Sequence, residues 1–143
     1  MKKRFTSGFS LVELTLALGI AAFCLIAVFG LMPVGVQTNR NATSQTAATN
    51  IMAAVVADLR ATPTFNTSST EFGITFGTNA TLYFDGTGQF ATSLGANSRN
   101  QLNVTWYGSA WLRYADLKVT WPAAATLANA SGSVETLTAF HRN

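Results

Sequence analysis

The chain has 143 residues, a formal net charge of +3, 48% hydrophobic residues, one cysteine and one histidine. A lone Cys24 forms no intrachain disulfide, and a lone His141 argues against a metal cluster or a histidine-based triad within one chain. Three of the 9 basic residues are Lys2, Lys3 and Arg4, so the remaining 6 balance the 6 acids. The positive charge therefore reports on topology rather than on nucleic acid, for which no basic stripe with interleaved aromatics is present.

In chain order, a short basic head leads into Gly8-Phe9-Ser10-Leu11-Val12-Glu13-Leu14, and residues 14–36 carry no charge. An uncharged apolar run of about 18 residues or more is long enough to cross a bilayer. Bases ahead of the run predict a cytoplasmic N-terminus and an exported remainder. A cleaved secretory signal has an apolar region of about 7–15 residues, shorter than this one, and does not open with an acid. A lipoprotein signal ending at Cys24 requires a small residue before the cysteine, where this chain has Phe23. Glu13, at the mouth of the apolar run, is costly without a partner and so is a functional candidate.

Residues 8–20, Gly-Phe-Ser-Leu-Val-Glu-Leu-Thr-Leu-Ala-Leu-Gly-Ile, resemble the processing site of type IV pilins and of the pseudopilins of type II secretion. The resemblance implies a leader of residues 1–8 and cleavage between Gly8 and Phe9 by a prepilin peptidase, with N-methylation of Phe9. It also implies an assembly role for Glu13, the fifth residue of the mature chain, in pairing with a neighbouring subunit's terminal amine. Residues independent of the resemblance point the same way. Glycine leaves the cleaved bond uncrowded, and Glu13 lies four residues after Phe9, on one helical face with it. A polar contact in an apolar seam fixes register between helices.

Residues 9–36 are expected to form a membrane or filament-core helix, in which Gly19, Gly30 and the alanines permit close packing. Pro33 is expected to kink or loosen it. In residues 37–62 the Thr- and Asn-rich start is poor helix material. Ala48, Ile51, Met52, Val55 and Leu59 then recur at helical spacing, and Asp58 and Arg60 are read as lying off that face. At about 1.5 Å per residue such a helix is too long for one small globule, so its first half belongs in a membrane or among other subunits.

Beyond Pro63 the chain reads as loop with a short strand at residues 73–76, a strand at 82–84, a turn at 85–88 and a return at 89–90. Asp85 is read as a turn residue rather than a calcium ligand. Residues 95–101 read as a turn, and strands are expected at 103–107, 116–121 and 134–141. The segments Val-Thr-Trp-Pro, ending at Pro122, and Val-Glu-Thr-Leu-Thr-Ala-Phe, ending at Phe140, resemble the C-terminal hairpin of minor, pilin-V-like pseudopilins. The clustered Trp106, Tyr107, Trp111, Tyr114 and Trp121 are read mainly as core or sheet face. Five Asn-x-Ser/Thr triplets are expected by chance in so Asn- and Thr-rich a chain.

The expected fold is thus α+β: a long N-terminal helix whose second half packs on a small antiparallel sheet, with residues 37–143 as one extracytoplasmic pilin-like domain. The expected function is structural rather than enzymatic, without cofactor, metal or nucleic acid: a minor pilin or pseudopilin of a bacterial inner membrane. Its expected partners are a prepilin peptidase and other pilin-like subunits. An uncleaved, singly anchored extracytoplasmic binding module is the alternative.

Overall fold

The structure, a computed structural model, describes residue 8, residues 10–108 and residues 112–141. It is α+β, with one helix, α1 (Leu11–Ala61), and five strands: β1 (Ala80–Asp85), β2 (Phe90–Ala91), β3 (Ser98–Gly108), β4 (Leu112–Trp121) and β5 (Gly132–His141). The chain divides into two compact units, one ending at Asn39 and the other beginning at Arg40.

In the first unit, α1 is apolar on every side, and its large side chains from Leu11 to Val36 are all exposed. Pro33 lies inside the helix, which runs on without interruption. The expected loosening does not break it. Proline removes one backbone donor, and the turns on either side continue the helix.

In the second unit the Thr- and Asn-rich beginning is helical too. Its threonines feed their hydroxyls back into the helix: Thr46 Oγ1 donates to the Ala42 carbonyl at 3.0 Å and Thr49 Oγ1 to that of Gln45 at 2.9 Å. Such bonds occupy the hydroxyl that would otherwise compete for the backbone. From Ala48 onward one stripe is buried: Ala48, Ile51, Met52, Val55 and Leu59 join a single core cluster with Leu82, Phe84, Leu102, Val104, Leu117 and Val119 of the sheet. Burying each large member contributes about 1.5–3 kcal/mol. Thr62 closes the helix by donating both its N–H and its hydroxyl to the Asp58 carbonyl, at 3.0 and 2.7 Å. Pro63 disfavours helical backbone at the residue before it.

The sheet order is β2-β1-β3-β4-β5, with every neighbouring pair antiparallel. Its register stacks apolar partners on the helix side: Leu82 opposite Leu102, Leu102 opposite Val119, and Val104 opposite Leu117. On the opposite side lie Gln101, Asn103, Lys118 and Glu135. There Lys118 Nζ meets Glu135 Oε2 at 2.9 Å, and Glu135 holds the lysine's pKa above its ordinary value. Gly132 at the start of β5 is required by packing, because a Cβ there would meet the Trp121 ring.

The strands are longer than the sequence pattern predicts. β3 begins at Ser98, inside the stretch read as a turn, and β4 begins at Leu112. Residues 73–76 do not form a strand; a single bridge joins Ser68 to Thr75. Phe72 and Ile74 are nevertheless buried, so the segment is a core-filling loop. Two aromatic groups pin the region: Phe72 against Phe84 and Phe90, with ring centres 5.8 and 5.3 Å apart, and Phe76 against Trp106 and Phe140, at 5.4 and 6.1 Å. Trp121 is core and Trp106 half-buried, while Tyr107 and Tyr114 pair across β3 and β4 on the exposed side. Trp111 lies outside the described residues.

Candidate functional site

The residues singled out for processing and assembly lie at the start of α1. Ser10 precedes the helix, and its carbonyl accepts the Leu14 N–H at 3.1 Å, the first helical bond. Glu13 sits in the first turn. Four backbone N–H groups are free of helical partners there, and the helix dipole favours a carboxylate. Glu13 is exposed, as are Val12 and Leu14 beside it. Gly8 is exposed, outside the helix, with no described atom beyond its immediate chain neighbours within 4 Å of the position a Cβ would take. The leader residues 1–7 and Phe9 lie outside the described residues, and with them the expected pairing of the Phe9 amine with Glu13.

The segment that follows is the largest unsatisfied surface of the described chain. α1 contains an 18-residue window of mean hydropathy 2.6, none of it buried. A helix apolar on all sides is stable in a core or a membrane rather than in water. Each fully exposed Leu, Ile, Val or Phe forfeits about 1.5–3 kcal/mol that burial would return. Thr15, within this segment, and Thr38, just past it, donate their hydroxyls to the Val12 and Val34 carbonyls at 3.0 and 2.9 Å. Thus even the hydroxyls of this segment are satisfied from within the helix. Cys24 is a free thiol on the same exposed surface.

In the second unit, two acids, Asp85 and Asp58, organise the loops around them. Asp85 ends β1 and folds the β1–β2 turn around itself. Its Oδ1 accepts from the Thr87 N–H at 2.8 Å, the Thr87 hydroxyl at 2.7 Å and the Gln89 N–H at 3.0 Å. The Thr87 hydroxyl is the main reason its carboxyl titrates below the ordinary aspartate range, with the turn's backbone N–H groups adding to it. Gly88 completes the turn at φ +87°, a conformation open to glycine. Asp85 is therefore a turn residue, as its glycine-rich setting predicts. It shares a cleft of about 330 Å³ with Glu71, Asn50 and the Phe72 and Phe84 rings. Among the described residues no three of His, Cys, Asp or Glu gather as metal ligands.

Asp58 overturns the sequence reading. It is 8% exposed and lies on the buried face of α1, not off it. Its two oxygens accept the Glu71 and Phe72 N–H groups, each at 3.1 Å. The spacing Ile51, Val55, Asp58, Thr62 continues the apolar stripe in steps of four, three and four, which is the signal that could have placed it. Within 73–76 the donors are also met locally: the Ile74 N–H donates to Ser69 Oγ and the Phe76 N–H to the Thr67 carbonyl, each at 3.0 Å, in place of a strand ladder. Arg113 and Asn79 make comparable ties. Arg113 Nη1 donates to the Phe76 carbonyl at 2.9 Å, and the Trp106 N–H donates to Asn79 Oδ1 at 2.9 Å. These residues hold the long 62–79 connection on the sheet.

The chain matches no family profile, no curated protein and no solved structure.

Proposed function

We propose that this protein is a structural subunit of a pilin-like filament, of the minor pilin or type II secretion pseudopilin kind. The observation that carries the reading is the fully exposed apolar stretch of α1, opened by Gly8, Phe9 and Glu13 in the spacing of a prepilin processing site. The basic head holds the precursor in the bacterial inner membrane, with residues 37–143 on the far side. A prepilin peptidase cuts between Gly8 and Phe9 and methylates the new amine. The apolar helix then exchanges lipid for the helices of neighbouring subunits, and the cost of the exposed surface is met in either setting. Glu13 selects the docked register, because a carboxylate entering an apolar bundle requires a cationic partner and the Phe9 amine of a neighbour supplies one.

Intact-mass and N-terminal peptide mass spectrometry on protein from native membranes tests this. The expected chain begins at Phe9 with one added methyl group. A chain retaining residues 1–8 would instead favour the uncleaved anchored module, and a cut beyond residue 20 would remove Glu13 from any assembly role. Glu13→Ala is expected to be processed normally but to be depleted from sheared filaments; wild-type incorporation of this variant would sink the docking role.

A further inference from the structure

The two edges of the sheet differ. β2 is a two-residue edge, whereas β5 is a ten-residue edge paired with β4 along its whole length and, among the described residues, with no strand on its other side. Edge strands of stable proteins are blunted by proline, bulges or outward lysines. Residues 132–141 contain no proline and no lysine, and the β4–β5 register has no bulge. The one acid of the strand, Glu135, is paired with Lys118 of β4. Leu137, midway along, is 66% exposed.

At the C-terminal end of the same strand lies a recess of about 220 Å³, walled by the last turn of α1 and the residues after it on one side and by β5 on the other. Leu59 and Phe140 supply an apolar floor, Thr64 a hydroxyl, His141 an imidazole and Arg60 a cation, while the Thr62 hydroxyl is already donated to the Asp58 carbonyl. Arg60 has no carboxylate partner among the described residues. An unpaired strand edge offers backbone donors and acceptors at alternate residues, and a strand laid against it sends alternate side chains to either face of the sheet.

We propose that the free edge of β5 accepts an extended segment of a partner protein as a sixth strand, with a carboxylate of that segment seated beside Arg60. Backbone pairing along β5 supplies the affinity. The recess supplies the choice, because an apolar floor with an unpaired guanidinium favours a carboxylate and rejects a second cation. This contact is separate from the packing of the apolar helix and stands whether or not that helix enters a filament.

The test uses the full chain in detergent micelles and a fluorescein-labelled ten-residue peptide of alternating threonine and valine with one glutamate near its end. Two twins accompany it, one with lysine for the glutamate and one N-methylated at every backbone nitrogen, since methylation of alternate nitrogens would leave one edge free to pair. The glutamate peptide is expected to bind and to slow hydrogen exchange at β5 amides. The lysine twin is expected to bind about tenfold more weakly, a difference of about 1.4 kcal/mol. The N-methylated twin is expected not to bind. Arg60→Glu, a change at an exposed side chain, is expected to reverse the preference between glutamate and lysine. The proposal is overturned if the glutamate peptide fails to bind at about 1 mM, the weak end of specific affinity. It is equally overturned if N-methylation makes no difference, if β5 amides exchange as before, or if Arg60→Glu leaves the preference unchanged.

Discussion

The two parts of α1 place their apolar side chains in opposite ways. From Leu11 to Val36 they surround the helix, with Leu11 79% and Leu25 57% exposed; from Ala48 to Leu59 they form one stripe, with Val55 0% and Leu59 1% exposed. A stripe can be covered by a single sheet, and this chain supplies that sheet. An all-round apolar surface needs neighbours on every side, which one small domain has no means to provide. The pattern of a helix therefore records how many faces its surroundings have, and in this chain the record changes partway along one helix.

The sharpest way to break the contrast is to truncate one residue from each part. Phe84→Ala, beneath the stripe and 1% exposed, is expected to destabilise the second unit by about 3–5 kcal/mol. Leu18→Ala is expected to change the same unfolding by no more than about 0.5 kcal/mol. Denaturant titration of the full chain in micelles, followed by tryptophan fluorescence, compares them, and equal losses would erase the distinction. A charge sharpens it from the other direction. Val28→Arg is expected to cost about 2.5–3.5 kcal/mol of membrane insertion while leaving the unfolding midpoint alone. Membrane flotation reads the first effect and the same titration reads the second.

Asp58→Ala is expected to cost about 2–3 kcal/mol, since it leaves two backbone N–H groups at a buried edge without an acceptor. A loss below about 0.5 kcal/mol would show that water replaces the carboxylate and that the loop is held by its aromatic rings. The smallest effects are those of pH. The Asp85 carboxyl is lowered in the folded chain, chiefly by the Thr87 hydroxyl. Its contribution is present above the unfolded value of about 3.9 and is lost as pH falls through the lower folded value. The amide resonances of Thr87 and Gln89 should shift together in that acid window, and Asp85→Asn should abolish the shift. Lys118 has the opposite sign, because Glu135 raises it: the pair's contribution is present below the ordinary lysine value of about 10.4 and fades as pH climbs above it.

Much of this arrangement was legible in the residues themselves. The uncharged run, the Ala48–Leu59 spacing, the Asp85 turn and the alternation of Leu117, Val119 and Trp121 each state a period or a turn chemistry directly. The harder parts involve residues whose role is decided by distant partners. Ser98 and Asn100 look like turn residues, yet they extend β3 because Asp85 and Phe84 of β1 stand opposite them. The Thr-rich start of the second unit is helical against its low propensity, with hydroxyls that bond one turn back instead of capping or turning the chain. Asp58 reads as lying off the stripe because a carboxylate is expected to avoid an apolar face, and only the Glu71 and Phe72 N–H groups reveal why it lies there. The resemblance to a prepilin site singles out Gly8, Phe9 and Glu13 by spacing alone; the folded chain adds the exposure of Gly8 and Glu13 and the helical start at Leu11.

Asp58 also has a mechanical consequence. Force applied along the helix axis would meet the stripe in shear, with all its contacts strained together. The two bonds from Asp58 to the Glu71 and Phe72 N–H groups lie in parallel near the end of the helix. They couple its last turns to the connection that crosses the sheet. Loss of this side chain would let the helix slip lengthwise before the strands separate, turning a concerted rupture into a sequential one.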